Sequence, residues 1–336
     1  MKNTYIIAEA GVNHNGNLDL ALKLVEEAKK AKADCVKFQT FKASNLVTQD
    51  APKADYQLKV TDKSESQFKM LSSLELIKSD YKKLIKHCNE LKIDFMSTPY
   101  NKEDVDYLFD LGVKSFKIAS GQLTEIPFLK YVASFGLPIY LSTGMSYLSD
   151  IILAVESIKK IDPNLPLTIL QCTTNYPSKI EDANINVLET LKIIPNISIG
   201  YSDHVQNNFA CFASIAKGAK VIEKHFTLDK KMKGPDHSSS LDPKGFSELV
   251  KGIREIEKSL GSPIKQPTES EKLNINGMKR SLVYSKSISK GEILNEEHFA
   301  YKRPFNGISP NLETYFLGKK LKQNVTLDEL VAFEHI

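Results

Sequence analysis

Short apolar runs alternate with amphipathic segments along most of the chain. Each run is continuous rather than alternating with polar residues, which is typical of parallel strands covered on both faces. Eight runs are predicted strands: residues 5–10, 35–40, 94–99, 115–120, 138–143, 167–172, 197–202 and 220–226.

The segments between these runs permit helices, and two carry a clear apolar stripe. One stripe, within residues 18–28, follows Asn17, which can cap a helix start. The other, within residues 246–260, is opened by Asp242-Pro243 and closed by Gly261. Strands that are each followed by a helix predict an α/β fold and favour a closed (β/α)₈ TIM barrel. A doubly wound open sheet is the alternative.

The alternation of apolar runs and amphipathic segments stops after Gly261. We expect the barrel to occupy residues 1–261, which suits the size of about 250 residues typical of this fold. Residues 262–281 carry two prolines and many polar side chains, and they are predicted to be a linker. Residues 282–336 have short segments broken by turns, which predicts a small, mostly β domain.

Composition narrows the class of function. The chain has 45 basic and 41 acidic residues, a formal net charge of +4, and no basic tract interleaved with aromatics, so a nucleic-acid partner is not expected. The N-terminal apolar run is too short for a signal peptide or a membrane span, so we expect no membrane partner and a cytoplasmic location. The four cysteines form no C-x-x-C pair, which argues against a zinc or dithiol site.

Polar or ionisable side chains occur at the end of nearly every predicted strand. In a (β/α)₈ barrel the carboxyl ends of the strands form the active-site mouth, so these side chains are expected to converge there. The candidates, in chain order, are Glu9, Lys37, Gln39, Thr98, Lys117, Ser120, Gln122, Ser142, Tyr176, Ser202, His204, Glu223 and His225.

His204 and His225 end neighbouring predicted strands. Two neutral imidazoles with positions left for water and substrate suit Mn²⁺, Mg²⁺ or a similar octahedral ion. The alternative is a pair of buried histidines that only form hydrogen bonds.

Lys37 and Lys117 lie inside strand runs, where a lysine is rarely buried without a partner. Together with serines they would hold a phosphate or a carboxylate. Outward-facing surface ion pairs and a Schiff-base lysine are the alternatives. Glu9 is a candidate general acid or base, or an internal partner of these lysines. The polar segment 229–243, which includes Asp236, is either a loop that closes on substrate or a solvated loop.

These residues lie in segments that resemble the sialic acid synthase family, which includes N-acetylneuraminate and N,N′-diacetyllegionaminate synthases. In the C-terminal part, KRPFNGISP (302–310) and LGKKL (317–321) resemble that family's antifreeze-like (SAF, β-clip) domain. The matching segments before it are AEAGVNHNGN (8–17), VKFQTFKA (36–43), STPY (97–100), KIASG (117–121), LSTGM (141–145), QCTTNYP (171–177), IGYSDH (199–204), IEKHFTLDK (222–230) and GPDHSSSLDP (234–243).

The resemblance implies an enzyme that condenses phosphoenolpyruvate with an N-acetylated amino sugar to give a nonulosonic acid and phosphate. The sugar would be N-acetylmannosamine or a 2,4-diacetamido-6-deoxy sugar. The implied cofactor is a divalent metal, for which we expect Mn²⁺, with Mg²⁺ or Co²⁺ as alternatives.

The resemblance also implies a role for each candidate. His204 and His225 would bind the metal, and Glu9 and Lys117 would be catalytic. Arg303 would reach the sugar bound in the other subunit of a domain-swapped homodimer. The implied substrate-binding residues are Lys37, Gln39, Thr98, Ser120, Gln122, Ser142, Tyr176, Ser202 and Asp236.

Two positions depart from the family pattern. Gln122 stands where a glutamate is usual, so it can donate a hydrogen bond but cannot transfer a proton. Phe305 stands where a glycine is common after the Arg-Pro pair. Two other functions stay open at this point: a phosphoenolpyruvate-condensing barrel that acts on a phosphorylated aldose, and a catalytically silent sugar-binding homologue.

Overall fold

A computed structural model describes residues 3–336, and the chain divides into two compact units, Met1–Gly261 and Ser262–Ile336. The described part of the first unit is built around one parallel sheet in the order β3-β2-β1-β8-β7-β6-β5-β4. The end strands β3 and β4 are also in contact, which closes the sheet. Its strands are β1 (Tyr5–Gly11), β2 (Cys35–Thr40), β3 (Asp94–Pro99), β4 (Phe116–Ile118), β5 (Ile139–Ser142), β6 (Leu167–Cys172), β7 (Ser198–Asp203) and β8 (Val221–His225).

This closed parallel sheet confirms the predicted (β/α)₈ barrel and excludes the open doubly wound sheet. Helices follow the strands as expected, and Asn17 caps the first of them by accepting a hydrogen bond from Leu20 N. The helices that follow β1 to β8 in turn are α1 (Leu18–Lys30), α5 (Lys78–Leu91), α6 (Lys102–Asp110), α7 (Ile126–Ala133), α8 (Leu148–Lys159), α9 (Val187–Leu191), α10 (Phe209–Ala216) and α11 (Pro243–Ser259).

The connection from β2 to α5 is long and carries three further short helices, which periodicity did not predict. They are α2 (Ala43–Leu46), α3 (Asp55–Val60) and α4 (Gln67–Ser72). A buried lysine holds this insertion together: Lys53 Nζ donates to Thr61 Oγ1 at 3.0 Å, to Asp62 O at 2.6 Å and to Glu65 Oε1 at 2.8 Å. A buried ammonium with three acceptors is satisfied, so the insertion is an ordered part of the domain.

The interior of the barrel is apolar at one end. Five buried side chains from five of the strands pack together there: Ile7, Cys35, Met96, Leu170 and Val221. The much larger apolar core lies between the sheet and its helices. The inward positions nearer the carboxyl ends are instead polar, so the sequence places its polar groups at one mouth.

The second unit has its own small core. Two short antiparallel strands, β9 (Ser281–Tyr284) and β10 (Phe299–Lys302), are joined by isolated bridges to later segments, and the helix α13 (Glu313–Phe316) follows. Its buried apolar side chains are Leu282, Tyr284, Ile288, Leu294, Phe299, Phe316, Leu321, Val325 and Val331.

The segment 262–281, predicted to be a linker, contains a helix. Helix α12 (Glu269–Met278) begins at Thr268, which accepts a hydrogen bond from Glu271 N, while Glu271 accepts one from Thr268 N. This reciprocal capping satisfies donors at the helix start. None of the helix residues is buried, which explains why the sequence has no apolar stripe that predicts this helix.

Among residues 3–336, no helix combines the length and the apolar character that crossing a bilayer requires.

Candidate active site

Inward-facing side chains at the carboxyl ends of the strands line one cavity of about 430 Å³ in the first unit. Parallel register explains why they meet: Glu9 pairs with both Lys37 and His225, and Ser202 pairs with Glu223. Side chains at paired positions of neighbouring strands point to the same face. The predicted residues on the cavity wall are Glu9, Lys37, Gln39, Thr98, Lys117, Ser120, Gln122, Ser142, Tyr176, Ser202, His204 and His225.

Two lysines and two glutamates form a buried charge network at the base of this cavity. Lys37 Nζ lies 2.8 Å from Glu9 Oε2 and 3.7 Å from Glu223 Oε2, and Lys117 Nζ lies 3.5 Å from Glu223 Oε1. Ser202 Oγ donates to Glu223 Oε1 at 3.0 Å. The lysines therefore point into the barrel, and the alternative of surface ion pairs is wrong.

Burial and these contacts set the pKa values of the network. Burial raises the pKa of Glu9, although Lys37 opposes the shift. Burial would raise the pKa of Glu223 as well, but Lys117 and Lys37 outweigh it and lower that pKa. Burial lowers the pKa of Lys117. Glu223 is therefore held as a carboxylate between the two lysines, whereas Glu9 is the carboxyl group that takes a proton more readily.

Hydroxyl groups beside the two lysines form, with them, a cradle of hydrogen-bond donors that could hold an anion. Lys37 Nζ donates to Thr98 Oγ1 at 3.2 Å, and Ser120 Oγ accepts from Gly144 N at 2.9 Å. Ser142 Oγ is buried and has no hydrogen-bond partner among the described residues. A side chain at Gly144 would collide with two hydroxyl groups, since a Cβ there would lie 2.0 Å from Thr174 Oγ1 and 2.9 Å from Ser120 Oγ. Close approach of this backbone to the cradle therefore requires glycine.

His204 and His225 meet on the wall of the same cavity. Their ring centroids are 5.3 Å apart, and the ring of Tyr176 lies 4.0 Å from that of His204 and 5.4 Å from that of His225. His204 Nδ1 lies 2.6 Å from Thr173 O, so in the neutral ring this nitrogen carries the proton and Nε2 keeps its lone pair. Burial would lower the pKa of His204, but Cys172 and the Thr173 carbonyl outweigh burial and raise that pKa, so a metal would compete there with a proton.

The chemistry of these two histidines fits a divalent metal. His225 Nδ1 is buried and has no hydrogen-bond partner among the described residues, and burial lowers the pKa of His225 well below its ordinary value. A neutral imidazole is the form that binds metals. Among residues 3–336, no group of three or more His, Cys, Asp or Glu side chains is arranged to hold a metal.

Gln39 and Gln122 are both tied to neighbouring groups. Gln39 Nε2 donates to Glu9 Oε1 at 3.2 Å, and Gln39 Oε1 accepts from the hydroxyl of Tyr100 at 3.2 Å. Gln122 Nε2 donates to the backbone carbonyl of Tyr100 at 3.3 Å, and its oxygen accepts from Ala119 N at 3.4 Å. Gln122 therefore braces two loops of the mouth through its backbone contacts.

The loop 229–243 is exposed at Asp229, Lys230, Lys231 and Lys233 and largely buried from Pro235 onward, so only its second half is packed. Asn13 Nδ2 donates to Phe226 O and to Ser240 Oγ at 2.9 Å each, and His237 Nδ1 lies 2.6 Å from Thr227 Oγ1. Asp236 is buried on this loop, with Oδ2 3.9 Å from His225 Nδ1. Burial and the charge of Glu9 raise the pKa of Asp236 to about 7.

Comparison with known proteins assigns the chain to a family. The sequence profile of the NeuB family matches residues 24–265, and the profile of the SAF domain matches residues 279–336. The chain belongs to the NeuB family.

Individual relatives of this NeuB-family chain span both units. It is 47% identical over 332 residues to the N,N′-diacetyllegionaminic acid synthase of Campylobacter jejuni, covering 98% of this chain and 99% of the relative. It is 35% identical to the human N-acetylneuraminate-9-phosphate synthase, covering 98% of this chain and 92% of that protein. The N-acetylneuraminic acid synthetase of Leptospira borgpetersenii, crystallised with citrate, has a TM-score of 0.72 at 33% identity and covers 82% of this chain and 90% of that one. These matches confirm the resemblance to the sialic acid synthase family with a C-terminal SAF domain.

Two predicted positions of the NeuB-family chain belong to the second unit. Arg303 is exposed, and its Nε donates to Met278 O at 3.1 Å. Phe305 N donates to Asn276 O at 2.7 Å, and Lys279 Nζ lies 5.7 Å from the centre of its ring. Phe305 therefore packs within its own unit. The contact of Arg303 with a sugar in a partner subunit stays a prediction.

Some residues of the mouth were not assigned a function from the sequence. Glu223 was recognised only as a polar strand end, although its position two residues before His225 places both on the inward face. Tyr56 and Gln57 come from the β2–α5 insertion and line the cavity, and the ring of Tyr56 lies 4.8 Å from that of Tyr176. No strand or helix periodicity marks these two residues, so only folding brings them to the site.

Proposed function

We propose that this protein condenses phosphoenolpyruvate with an N-acetylated amino sugar and water to give a nonulosonic acid and phosphate. One observation carries the proposal: the Lys37–Lys117 cradle and the His204–His225 pair line the same cavity. An anion site beside a metal-binding pair is the arrangement that joins an enol phosphate to an aldehyde. Membership of the NeuB family supports the same reaction class.

Phosphoenolpyruvate is the proposed occupant of the cradle. Its phosphate and carboxylate match two ammonium groups and the hydroxyls of Thr98, Ser120 and Ser142, of which the Ser142 hydroxyl is buried without a partner among the described residues. Charge contacts in such a buried place are stronger than in water. The Lys37 and Lys117 ammonium groups would hold the anion while its C3 carbon attacks the sugar aldehyde.

The metal is proposed to be held by His204 and His225, with Mn²⁺ expected first. When bound, a divalent ion acts as a Lewis acid that polarises the open-chain sugar aldehyde. The Thr173 carbonyl keeps the proton of His204 on Nδ1, which leaves the other ring nitrogen to act as a ligand.

Proton transfer is assigned to Glu9 rather than to Gln122. A new C–C bond forms between C3 of the enol and the aldehyde carbon, water adds at C2, and the C2–O bond to phosphate breaks. The water loses both of its protons: one is balanced by the proton that the aldehyde oxygen gains, and the other leaves with phosphate as the C2 carbonyl forms. Burial raises the pKa of Glu9, which lies between the cradle and the histidines. Gln39 donates a hydrogen bond to one of its carboxyl oxygens, and Lys37 forms an ion pair with the other.

The sugar is proposed to be unphosphorylated and rich in methyl groups. Among the described residues that line the cavity, the ammonium groups are those of Lys37 and Lys117, and both face glutamates. A second phosphate would find no free cation there, which argues against the phosphorylated aldose. Tyr56, Tyr100 and Tyr176 offer apolar surface for methyl groups. The 47% identity to an N,N′-diacetyllegionaminic acid synthase favours a 2,4-diacetamido-6-deoxy sugar over N-acetylmannosamine.

We further propose a cytoplasmic homodimer in which Arg303 reaches the sugar of the partner subunit. Support comes from the exposure of Arg303 within its unit and from its place in the Lys-Arg-Pro segment shared with the family.

The decisive experiment supplies purified protein with phosphoenolpyruvate, Mn²⁺ and one sugar at a time. We expect phosphate release and a nonulosonic acid by mass spectrometry with the diacetamido sugar, slower turnover with N-acetylmannosamine, and none with its 6-phosphate. Phosphate release with the 6-phosphate alone would contradict the proposed sugar class. No phosphate with any of the three sugars would reject the condensation and favour a silent sugar-binding protein.

A further inference from the structure

A buried ion pair lies behind the two histidines and connects strands β7 and β8. Asp203 Oδ2 and Lys224 Nζ are 2.6 Å apart, with side chains 0% and 1% exposed. Asp203 pairs with Lys224 in the strand register, and each directly precedes one of the histidines. Because neighbouring side chains on a strand alternate between faces, the ion pair lies on the helix-facing side of the same backbone that carries His204 and His225 inward.

The carboxylate of Asp203 has a full set of hydrogen-bond donors. Its Oδ1 accepts from Tyr201 OH at 2.8 Å and from Val205 N at 2.9 Å. Its Oδ2 accepts from the Cys211 thiol at 3.1 Å and from the Lys224 ammonium. A carboxylate offers about four acceptor positions, so the hydrogen-bonding capacity of this buried anion is fully satisfied.

The ammonium of Lys224 binds the chain that leaves β7. It donates to Asp203 Oδ2, to the carbonyl oxygen of Val205 and, at 2.9 Å, to that of Asn207. All three of its donors are used. Val205 directly follows His204, so this lysine of β8 holds the backbone immediately C-terminal to the histidine of β7.

Stability alone does not explain this arrangement. Replacing a buried ion pair by apolar side chains of similar volume is often neutral or stabilising. The hydrogen bonds are instead concentrated on the backbone that flanks the histidines.

We propose that Asp203 and Lys224 are positioning residues that set the separation and orientation of His204 and His225 for a divalent cation. The inference rests on the proposed metal site. Groups that orient metal ligands typically change metal affinity by about 10- to 100-fold when they are removed.

The test measures the affinity for Mn²⁺ alone, by the electron paramagnetic resonance signal of free Mn²⁺ titrated with the metal-free, full-length protein. The variant is the double substitution Asp203→Leu/Lys224→Met, which replaces both charged groups by apolar side chains. We expect it to be folded by near-ultraviolet circular dichroism and to bind Mn²⁺ about 10-fold or more weakly.

A second ion pair of the barrel offers a matched control. Arg254 Nη2 lies 2.9 Å from Asp34 Oδ2, and Asp34 directly precedes β2, at the end of the barrel opposite the mouth. The variant Asp34→Leu/Arg254→Met should change thermal stability and leave Mn²⁺ affinity as in the wild type. Loss of affinity in this control as well would show a general structural effect and overturn the inference.

The remaining outcomes also decide the question. A folded Asp203→Leu/Lys224→Met variant that binds Mn²⁺ as tightly as the wild type would show that the pair is only structural. A wild type that binds no Mn²⁺ would overturn the metal site itself, and this inference with it. If the double variant does not fold, Tyr201→Phe removes one donor to Asp203 and keeps the ring; we expect a several-fold loss of affinity, and an unchanged affinity would overturn the proposal.

Discussion

Glu9 Oε2 and Lys37 Nζ lie 2.8 Å apart at paired positions of β1 and β2, and both side chains are 3% exposed. Lys37 lowers the pKa of Glu9, against the effect of burial. An anionic substrate that recruits the Lys37 ammonium weakens this contact and therefore favours a protonated Glu9. Substrate binding and the protonation state of the candidate acid are thus coupled through one ion pair.

Removal of the Lys37 ammonium should impair use of phosphoenolpyruvate. We expect Lys37→Met to lower kcat/KM for phosphoenolpyruvate by about 10²- to 10³-fold, because a buried charge contact to the reacting anion is lost. Steady-state kinetics measures this. Lys114→Met, which removes a lysine 77% exposed beside Asp94, should keep wild-type kinetics. Equal kcat/KM in Lys37→Met and wild type would exclude the cradle.

Loss of one imidazole should abolish metal binding. His204→Ala and His225→Ala are expected to bind Mn²⁺ at least 10²-fold more weakly and to lose turnover, because two histidines are the proposed protein ligands. Isothermal titration of the metal-free proteins measures the affinity. His87→Ala, which removes a histidine that lies 3.4 Å from Glu26 at the surface, serves as the control. Wild-type affinity in either site variant would refute the assignment.

Tyr56 should contribute to selection of the sugar. We expect Tyr56→Ala to raise the sugar KM by about 10-fold, the effect of removing a large apolar contact, with the KM for phosphoenolpyruvate nearly unchanged. The two values come from varying each substrate separately. Tyr147→Ala, at a tyrosine 81% exposed, is the matched control. A change confined to the KM for phosphoenolpyruvate would contradict this role.

Two buried histidines should make the fold sensitive to acid. Burial lowers the pKa of both His14 and His237 to about 4. The nearby charge of His237 lowers the pKa of His14 further, whereas Asp229 opposes the shift at His237. At these two sites the unfolded chain binds more protons between about pH 6.5 and 4, so their contribution to stability falls as the pH decreases through that window, whereas the raised pKa of Asp236 acts in the opposite direction. The loss should be on the order of 3 kcal/mol per histidine and level off below about pH 4.

Urea unfolding at pH 7, 6, 5 and 4.5 measures this dependence. The double variant His14→Asn/His237→Asn should show a shallower fall in the free energy of unfolding across the same window. An equally steep fall in the variant would mean that other groups dominate.

Arg303 should affect the sugar and not the anion. We expect Arg303→Ala to raise the sugar KM about 10-fold through loss of a charged contact from the partner subunit. Arg280→Ala removes another exposed arginine of the same unit, 5.9 Å from the Tyr301 ring, and should have no effect. Analytical ultracentrifugation tests the dimer in parallel, and a monomer with full activity would rule out the swapped contact.

Much of the barrel was predictable from the sequence because its strands are continuous apolar runs. The runs at 35–40, 94–99 and 167–172 became strands with the predicted bounds. Polar residues that interrupt such runs at Lys37 and Lys117 are costly to bury, so they marked the site before its geometry was known. Helix α12 was not predicted, because it is stabilised by capping residues and carries no apolar stripe.

The sequence by itself determined the (β/α)₈ architecture, the family, and the set of polar strand ends that form the mouth. Tertiary structure decided which of these groups touch. In the folded chain Glu223 lies between two lysines, the ring of Tyr56 packs against that of Tyr176, and Asp203 forms an ion pair with Lys224 behind the histidines. Local patterns record which face a residue prefers, whereas contacts between positions far apart in the chain depend on strand register, which only the closed barrel defines.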